Sequence, residues 1–304
     1  MMRLRQVEYF VAVVEAGSIT QAAANLYLAQ PSLSHQITTL EKELGGALFE
    51  RMPRGLRLTP AGRAFLVEAK RIVSDVNRAK RAVQSVTEGV LGELEISTIT
   101  SLAVGVIPSV ARRWREHHPK MALRLHEYTH ADRLEEGLLN GVGDFGFGPI
   151  PKLPMGEVIE LGTEEFVFVL PSDDPLAGQH SVDPAELANR PWVLYDHAHG
   201  LSNVVTAVCS AHGFAPTGAV RTSQVESAAR LAAAGLGPAL LPANVIPTQI
   251  EAVVLSATKP LIRRLAAFSR APMPEVVRSF VDEIADPSHG LVPATSLPDE
   301  YFEL

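Results

Sequence analysis

The amino-acid sequence predicts an α/β protein with a small, mainly helical module at its amino end and a larger part built from two α/β lobes. Three patterns support this prediction. Residues 4–44 show apolar residues at helical spacing, residues 60–88 form one long helical pattern, and residues 91–304 alternate strand and helix patterns. The length of 304 residues suits two or three domains, and the single cysteine excludes an internal disulfide framework.

Charge is divided unevenly along the chain. Residues 1–90 carry 12 lysine and arginine residues against 8 acidic ones, a net charge of +4, whereas the remainder carries -11. This asymmetry predicts that the amino-terminal module contacts a polyanion. No apolar run reaches the ~18 residues that a membrane-spanning helix needs, and charge interrupts residues 1–8, where a signal peptide would turn apolar. We therefore expect a cytoplasmic protein without membrane contacts.

Three short helices are predicted in the amino-terminal module. The first begins at Leu4 and ends at Gly17, and Ser18 is a natural N-cap for the second. The third begins at Gln30 and Pro31, because proline at the first helical position sacrifices only an unpaired N–H. It runs to Leu44 with its leucine and isoleucine residues inward, which are Leu33, Ile37, Leu40 and Leu44.

The outward face of the third helix carries short hydrogen-bonding side chains of the kind that contact base edges in a major groove. Leu56 and Leu58 then alternate around a Pro-Arg-Gly turn, which predicts a small hairpin whose arginines can lie along phosphates. From periodicity alone, any small helical bundle with a solvated polar face is an equally good interpretation.

The identities of the residues favour the DNA-binding interpretation. The segments are RQVEYFVAV (5–13), GSITQAA (17–23), AQPSLSHQI (29–37), LEKELG (40–45), LFER (48–51) and LTPAG (58–62). In order and spacing they closely resemble the winged helix-turn-helix of LysR-type transcriptional regulators, over residues 3 to about 66. The resemblance implies a DNA-binding domain at 1–59, a dimerising linker helix at 60–88 and an effector-binding domain at 91–304.

By position, the resemblance assigns DNA contacts to the start of the third helix and to the wing: Gln30, Pro31, Ser32, Ser34, His35, Gln36, Thr38, Arg51 and Arg54. The family usually has arginine where this chain has His35. A neutral histidine makes no permanent ion pair, so we expect a weaker or pH-dependent contact at this position.

The linker helix has its own argument for dimerisation. Its apolar residues recur at near-heptad spacing, which predicts a partner helix. These residues are Ala64, Phe65, Ala69, Ile72, Val76, Ala79, Val83 and Val86. The alternative is a helix that packs on its own effector domain.

Residues 91–304 show β-α repeats, which imply parallel pairing in doubly wound sheets. The predicted elements include a helix from Ser101 to about His118 and separate strands at 253–255 and 261–268. The pattern restarts after Gly162, and crossings near Gly162 and Ala266 predict lobe I at 91–162 and 266–295 and lobe II at 163–265. This arrangement is that of a type II periplasmic-binding-protein-like module, and the region also resembles, more loosely, the family's effector domain.

In such modules a small molecule binds between the lobes, where strand ends and helix N-termini favour a carboxylate or another anion. The predicted effector-binding residues are Thr98, Thr100, Ser101, Thr129, Phe147, Gly148, His197, Asn203 and Thr222. Thr100 and Ser101 are the strongest candidates, although helix capping also explains them. Ser223 with Glu226 fits a capping box.

Other features predict no chemistry. The histidines lack ligand spacing, so no metal is expected, and no cofactor is expected beyond the effector. No nucleophile, base and orienting acid fall at motif spacing, so we do not expect an enzyme. Cys209 is expected to be buried, and the tail from Pro287 to be loosely packed, with an aromatic end able to dock on a neighbour.

The resemblance therefore implies a sequence-specific transcriptional regulator, a homodimer or homotetramer that binds an interrupted inverted repeat in double-stranded DNA. The resemblance implies a small-molecule effector and admits RNA polymerase as a further partner. Two alternatives remain at this point: an enzyme that uses the interlobe cleft, and a ligand-binding protein whose DNA-binding function is lost.

Overall fold

A computed structural model of the chain describes residues 1–52, 55–87, 92–293, 297 and 300–304. The chain divides into two compact units, one of residues 1–92 with 139–142 and one of residues 93–138 with 143–304.

The first unit contains the three predicted helices, the hairpin and the long helix. Its elements are α1 (Leu4–Ala16), α2 (Ile19–Asn25), α3 (Gln30–Leu44), β1 (Phe49–Met52), β2 (Gly55–Leu58) and α4 (Pro60–Thr87). Gly17 ends α1 in the left-handed region at φ 65°, and the Ser18 hydroxyl accepts the Gln21 N–H, so both predicted helix signals are confirmed. Leu44 is exposed, so its predicted inward position is wrong.

The core of the first unit forms around Phe10. Its ring centroid lies 5.2 Å from that of Phe49 and 5.0 Å from that of Phe65, which joins α1 to the hairpin and to α4. Ala22 and Ala23 are buried and small, so α2 approaches its neighbours closely. Leu33, Ile37 and Leu40 of α3 pack in the same core, which fixes the orientation of α3.

The segment before the hairpin is held by polar contacts. The Glu41 carboxylate on α3 accepts the N–H groups of Leu48 at 2.8 Å and Phe49 at 3.1 Å. The Thr59 hydroxyl donates to the Ala47 carbonyl at 2.6 Å and accepts the Gly62 N–H at 2.9 Å. Thr59 thereby caps α4 and fixes the start of the long helix to the segment that leads into β1.

The apolar stripe of α4 is shared between two environments. Its first half packs on the core of the first unit through Phe65, Ala69 and Ile72, so a partner helix is not needed to explain that half. Farther along, Ala79 is exposed, and Val83 is 65% exposed. The side chain of Val86 lies outside the described residues.

The second unit is an α/β structure with two hydrophobic cores, one in each lobe. The helices are α5 (Thr100–Gly105), α6 (Ile107–His117), α7 (Ala131–Leu139), α8 (Gly200–Ala211), α9 (Val225–Ala233) and α10 (Glu275–Ile284). The first four strands of this unit are β3 (Glu93–Ile99), β4 (Ala122–Tyr128), β5 (Phe145–Pro149) and β6 (Glu157–Pro171). The later strands are β7 (Ser181–Val182), β8 (Pro191–Tyr195), β9 (Thr217–Thr222), β10 (Ala239–Pro242), β11 (Ala252–Ser269) and β12 (Phe302–Glu303).

Two long antiparallel strands, β6 and β11, run through both lobes. The central order of the larger sheet is β10-β6-β11-β5-β3-β4, and its β3-β4 and β3-β5 pairs are parallel. The prediction of parallel pairing holds within lobe I and in the separate β8-β9 pair but is wrong for the crossing strands. Gly162 does not interrupt β6, and the strands predicted around 253–255 and 261–268 are one strand with a register shift between Ser256 and Leu261.

Three local predictions were wrong. The helix expected from Ser101 to His118 is interrupted at Val106, which separates α5 from α6. The N-cap of α9 is Gln224 and makes no side-chain capping bond, so Ser223 and Glu226 do not form the expected box. The segment after α10 is not loose throughout, because His289 and Leu291 are buried.

Candidate functional site

The face of α3 that was predicted to contact DNA is open to solvent. Gln30, Pro31, Ser32, His35 and Thr38 are exposed, while Ser34 and Gln36 are partly covered. On the opposite face, Leu33 and Leu40 are fully buried. The amphipathic packing of α3 therefore presents amide, hydroxyl and imidazole groups outward, and these can donate to or accept from base edges.

Tyr27 lies in the turn before α3 and was missed by the sequence reasoning. It has φ 55°, the one positive φ of a non-glycine residue among the described residues, and its side chain is 96% exposed. Such backbone is strained for a bulky residue. Tyr27 follows Leu26, the C-cap of α2, and adds to the exposed surface of the helix-turn-helix.

The described part of the hairpin has one clear ion pair. Arg57 Nε donates to Glu50 Oε1 at 2.7 Å, and this bond raises the pKa of Arg57 and lowers the pKa of Glu50. Arg57 is thus partly neutralised within the hairpin. Arg54 and the side chain of Arg51, both predicted to contact phosphates, lie outside the described residues.

A cleft of about 380 Å³ lies between the lobes of the second unit. Lobe I contributes the start of α5, the turn before α7 and the loop after β5, and lobe II contributes the start of α8. Arg263 and Arg264 on β11 also line the cleft, together with Glu303 and Leu304. Its volume is that of a pocket for a small organic molecule.

Four of the predicted effector residues line this cleft, namely Thr100, Ser101, Thr129 and Asn203. The structure places the other five elsewhere. Thr98 is buried and its hydroxyl donates to the Phe147 carbonyl at 2.8 Å, so it joins β3 to β5. Phe147 is in the lobe I core, and Gly148 is buried beside Leu134.

The remaining two predicted residues lie in lobe II. His197 is exposed and does not line the cleft, whereas His130 and His199 do. The Thr222 hydroxyl accepts the Gln224 N–H at 3.1 Å in the turn that leads into α9. Thr222 therefore has a local structural role.

The two leading candidates differ in what they offer a ligand. The Thr100 hydroxyl donates to the Tyr128 carbonyl at 3.2 Å, which leaves its oxygen as an acceptor. The Ser101 hydroxyl accepts from Arg263 Nη2 at 3.3 Å, which leaves its hydrogen for donation. The cleft thus presents one acceptor and one donor at the start of α5.

Ser101 contacts a buried ion pair formed by Arg263 and Glu164. Arg263 Nε donates to Glu164 Oε1 at 2.6 Å, and Arg263 Nη2 also contacts this oxygen. Asn244 Nδ2 donates to Glu164 Oε2 at 2.8 Å, and the guanidinium carbon of Arg263 lies 4.8 Å from the Phe166 ring centroid. The sequence reasoning missed this network because its members are far apart in the chain and form no local motif.

His199 is a second residue that the sequence reasoning missed. Its ring is 3% exposed and stacks on Tyr195 at a centroid distance of 5.0 Å. The Leu201 N–H donates to His199 Nδ1 at 3.2 Å, so a neutral ring carries its proton on Nε2, and this nitrogen has no hydrogen-bond partner among the described residues. Burial is the largest cause that lowers the pKa of His199, and the nearby His130 lowers it further, whereas Asp196 raises it. The net shift is downward, so the neutral form is favoured.

The start of α8 offers a ligand fewer free backbone N–H groups than a helix N-terminus usually does. The Gly200 N–H donates to the Thr129 carbonyl and the Ser202 N–H donates to the His199 carbonyl, both at 2.9 Å. Since the Leu201 N–H is also paired, the expected binding of an anion by these amides is not supported. Side-chain donors carry more of the polar recognition here.

The described residues contain no group of three or more histidine, cysteine or acidic side chains placed to hold a metal ion. Burial raises the pKa of the Cys209 thiol to about 12, which makes it a poor nucleophile. Within the same part of the chain, no helix combines the length and the apolar character that crossing a membrane requires.

Comparison with known proteins agrees with this architecture. Residues 4–63 match the family described as bacterial regulatory helix-turn-helix protein, lysR family, and residues 87–287 match the LysR substrate binding domain. The chain is 31% identical over 247 residues to a probable cat1 operon transcriptional activator of Acinetobacter lwoffii, covering 80% of this chain and 81% of that protein. It is 32% identical to the regulator BenM of Acinetobacter baylyi, covering 82% of this chain and 83% of BenM.

Solved structures of full-length regulators have the same fold. The crystal structure of full-length CbnR complexed with its target DNA has a TM-score of 0.67 and 26% identity, covering 93% of this chain and 99% of that one. Full-length BenM has a TM-score of 0.57 and 29% identity, covering 96% of this chain and 99% of that one. These matches span both units, and the chain belongs to the LysR family of bacterial transcriptional regulators, with an amino-terminal helix-turn-helix domain and a two-lobed effector-binding domain.

Proposed function

We propose that this regulator reads an interrupted inverted repeat in double-stranded DNA through the exposed face of α3. The observation that carries the proposal is the solvent-open row of polar side chains at the start of α3, on a helix whose other face is buried. Gln30, Ser32 and His35 are proposed to contact bases or phosphates, with Pro31, Ser34, Gln36 and Thr38 completing the surface. Arg51 and Arg54 are proposed as phosphate contacts.

Dimerisation through α4 is the second part of the proposal. Val83 is exposed at 65% on a helix of 28 residues, and an apolar side chain so placed is covered when a partner helix packs against it. A homodimer places two copies of α3 in successive major grooves, and a dimer of dimers gives the homotetramer. RNA polymerase is a further proposed partner, and the cytoplasm is the proposed location.

The third part concerns the cleft, which we propose binds a small-molecule effector and uses it to change DNA bending rather than to catalyse a reaction. Thr100, Ser101, Thr129 and Asn203 are the proposed contacts, and His199 joins them as a buried neutral imidazole at the wall. These groups suit a ligand with oxygen acceptors and a compact apolar body, since Ile99, Ile150 and Leu201 supply apolar walls.

Selection of genomic DNA fragments by the purified protein tests the first two parts. At moderate salt, with excess competitor DNA, we expect enrichment of a few fragments that share one interrupted inverted repeat. Val83→Glu places like charges at the proposed dimer seam, and we expect this variant to lose the inverted repeat while it retains weak non-specific binding. Absence of any enriched fragment with folded protein would exclude sequence-specific binding.

A panel of small organic acids tests the third part. Thermal unfolding followed by tryptophan fluorescence reports on the second unit, called the effector unit, because Trp114 and Trp192 both lie in it. A ligand that raises the melting temperature of the natural chain is expected to lose this effect in Ser101→Ala. It should keep the effect in Ser210→Ala, which removes an exposed α8 hydroxyl outside the cleft. Equal shifts in both variants would place the ligand elsewhere.

A further inference from the structure

The last described residues of the chain form a strand at the edge of β11. Phe302 and Glu303 pair in parallel with Leu261 and Ile262, and the Leu304 N–H donates to the Ile262 carbonyl at 2.9 Å. Residues 301–304 are named the tail strand below. It docks within its own chain, whereas the sequence suggested docking on a neighbour.

The position of the tail strand on β11 is specific. One edge of β11 is paired with β6 along most of its length. On the other edge, β7 pairs at Ser256 and Ala257, and β5 pairs at residues 265–268. The tail strand fills the gap between these two strands, at the point where β11 passes from one lobe to the other.

The tail strand is also part of the cleft. Glu303 and Leu304 line it opposite groups from both lobes. Arg264, which lines the cleft too, has its Nη1 3.8 Å from Glu303 Oε1. One wall of the cleft is therefore formed by the tail strand, which belongs to neither lobe. In the chain, this strand lies far from the other residues that line the cleft.

Few contacts hold the tail strand in place. The pairing covers two residues, the Arg264–Glu303 pair is long and half-exposed, and Phe302 and Leu304 are only partly buried against the lobe II core. Elements with a short ladder and few buried apolar contacts are those that open first in a folded protein. The pairing of β11 with β6 does not involve the tail strand.

We propose that the edge of β11 at Leu261 and Ile262 is a strand-acceptor site, and that the tail strand is its detachable occupant and a removable wall of the cleft. Addition of a strand to an open sheet edge uses main-chain hydrogen bonds for affinity and alternate side chains for specificity. Phe302 and Leu304 are the alternate side chains that face the lobe II core. Detachment opens the cleft to larger molecules, so tail docking and ligand binding influence each other reciprocally. This consequence for the effector rests on the proposed function of the cleft, whereas the acceptor site itself does not.

The test supplies the tail strand as a separate peptide. A chain that stops at Ser296 is titrated with a fluorescein-labelled peptide of residues 297–304, and binding is followed by anisotropy. We expect saturable binding to the shortened chain, and binding to the full chain that is weaker by at least about tenfold, because the site there is occupied in cis. The matched control is the same peptide with Phe302→Asp and Leu304→Asp, which is expected not to bind.

Two results would overturn the proposal. One is equal binding of the peptide to the full and shortened chains, and the other is no binding to a shortened chain that keeps native tryptophan fluorescence. Hydrogen exchange in the full chain provides a second readout: Phe302→Asp should speed exchange in residues 257–264, and unchanged exchange contradicts tail docking. Selection of DNA by the full and the shortened chains tests the proposed function separately from the strand-acceptor site. If neither chain selects an operator, the proposed function is wrong, but the peptide-binding result still stands.

Discussion

Arg263 and Glu164 form a buried ion pair between the two strands that cross from lobe to lobe, with Arg263 Nε 2.6 Å from Glu164 Oε1. Their side chains are 8% and 2% exposed. Ser101 of lobe I and Asn244 of lobe II bond to the two partners. The pair therefore connects both lobes through the crossing strands.

Removal of one member of this pair should be costly. Arg263→Met leaves the Glu164 carboxylate buried with Asn244 as its remaining side-chain donor, and we expect the free energy of unfolding of the effector unit to fall by about 3–5 kcal/mol. Urea unfolding followed by tryptophan fluorescence measures the change. Addition of Glu164→Gln to this variant should recover part of the loss, because the unpaired charge is gone.

The neighbouring pair supplies the control. Arg264 bonds to both oxygens of Glu160 at 2.8 and 2.7 Å but is 40% exposed, so Arg264→Met should change stability far less. Equal losses in the two variants would show that burial does not distinguish these pairs.

Gly62 is required by close packing at the start of α4. A Cβ at this position would lie 2.0 Å from the Leu48 carbonyl oxygen, which is backbone and cannot rotate away. We expect Gly62→Ala to destabilise the first unit by about 1–3 kcal/mol, despite the better helix propensity of alanine. Faster hydrogen exchange in residues 4–44 reports the loss. Gly46→Ala is the matched control, because nothing lies within 4 Å of its would-be Cβ, and exchange there should hardly change.

Tyr27 should be replaceable with a gain in stability. Its φ of 55° costs a bulky residue about 1–2 kcal/mol, and asparagine tolerates this region better. The side chain is exposed, so its removal forfeits little packing. We expect slower hydrogen exchange in residues 4–44 for Tyr27→Asn and no change for Tyr27→Phe. A loss of protection in Tyr27→Asn would show that the tyrosine ring contributes stability that its exposure does not indicate.

His199 should make the effector unit pH-sensitive. Burial keeps its pKa below the ordinary value of about 6.5, so between these two values the unfolded chain binds a proton that the folded chain does not. The free energy of unfolding is therefore expected to fall as the pH drops from about 7.5 to about 5.5. His130 and Asp196 face the same ring and shape this dependence.

His199→Asn isolates the histidine contribution. The asparagine oxygen can still accept the Leu201 N–H and cap α8, but it does not titrate. Urea unfolding of this variant at both pH values should show a smaller loss on acidification than the natural chain. An identical loss would assign the pH dependence to other groups.

The local elements were largely predictable, and the long-range ones were not. Gly17, Ser18 and Pro31 mark helix ends through their own backbone chemistry, and the structure confirms the helices they bound. The continuity of β11 and the Arg263–Glu164 pair depend on contacts between distant residues, for which periodicity carries no signal.

The cleft shows the same division. Thr100 and Ser101 were identifiable because a strand end followed by a helix start places hydroxyls at a cleft. The sequence predicts His197, whereas His199, two positions later, lines the cleft, and its stacking on Tyr195 is a contact that the sequence does not reveal. The tail strand carried no signal beyond its aromatic end.

The most direct test of the central claim is a comparison of base preference in the natural chain, His35→Ala and His35→Arg. Each protein selects from the same pool of DNA fragments at the same salt concentration. If the exposed face of α3 reads bases, both variants should change the preference at one position in each half-site and leave the rest of the inverted repeat unchanged. Identical preferences at every position in all three proteins would contradict the assignment of His35 and of this face of α3 to base recognition.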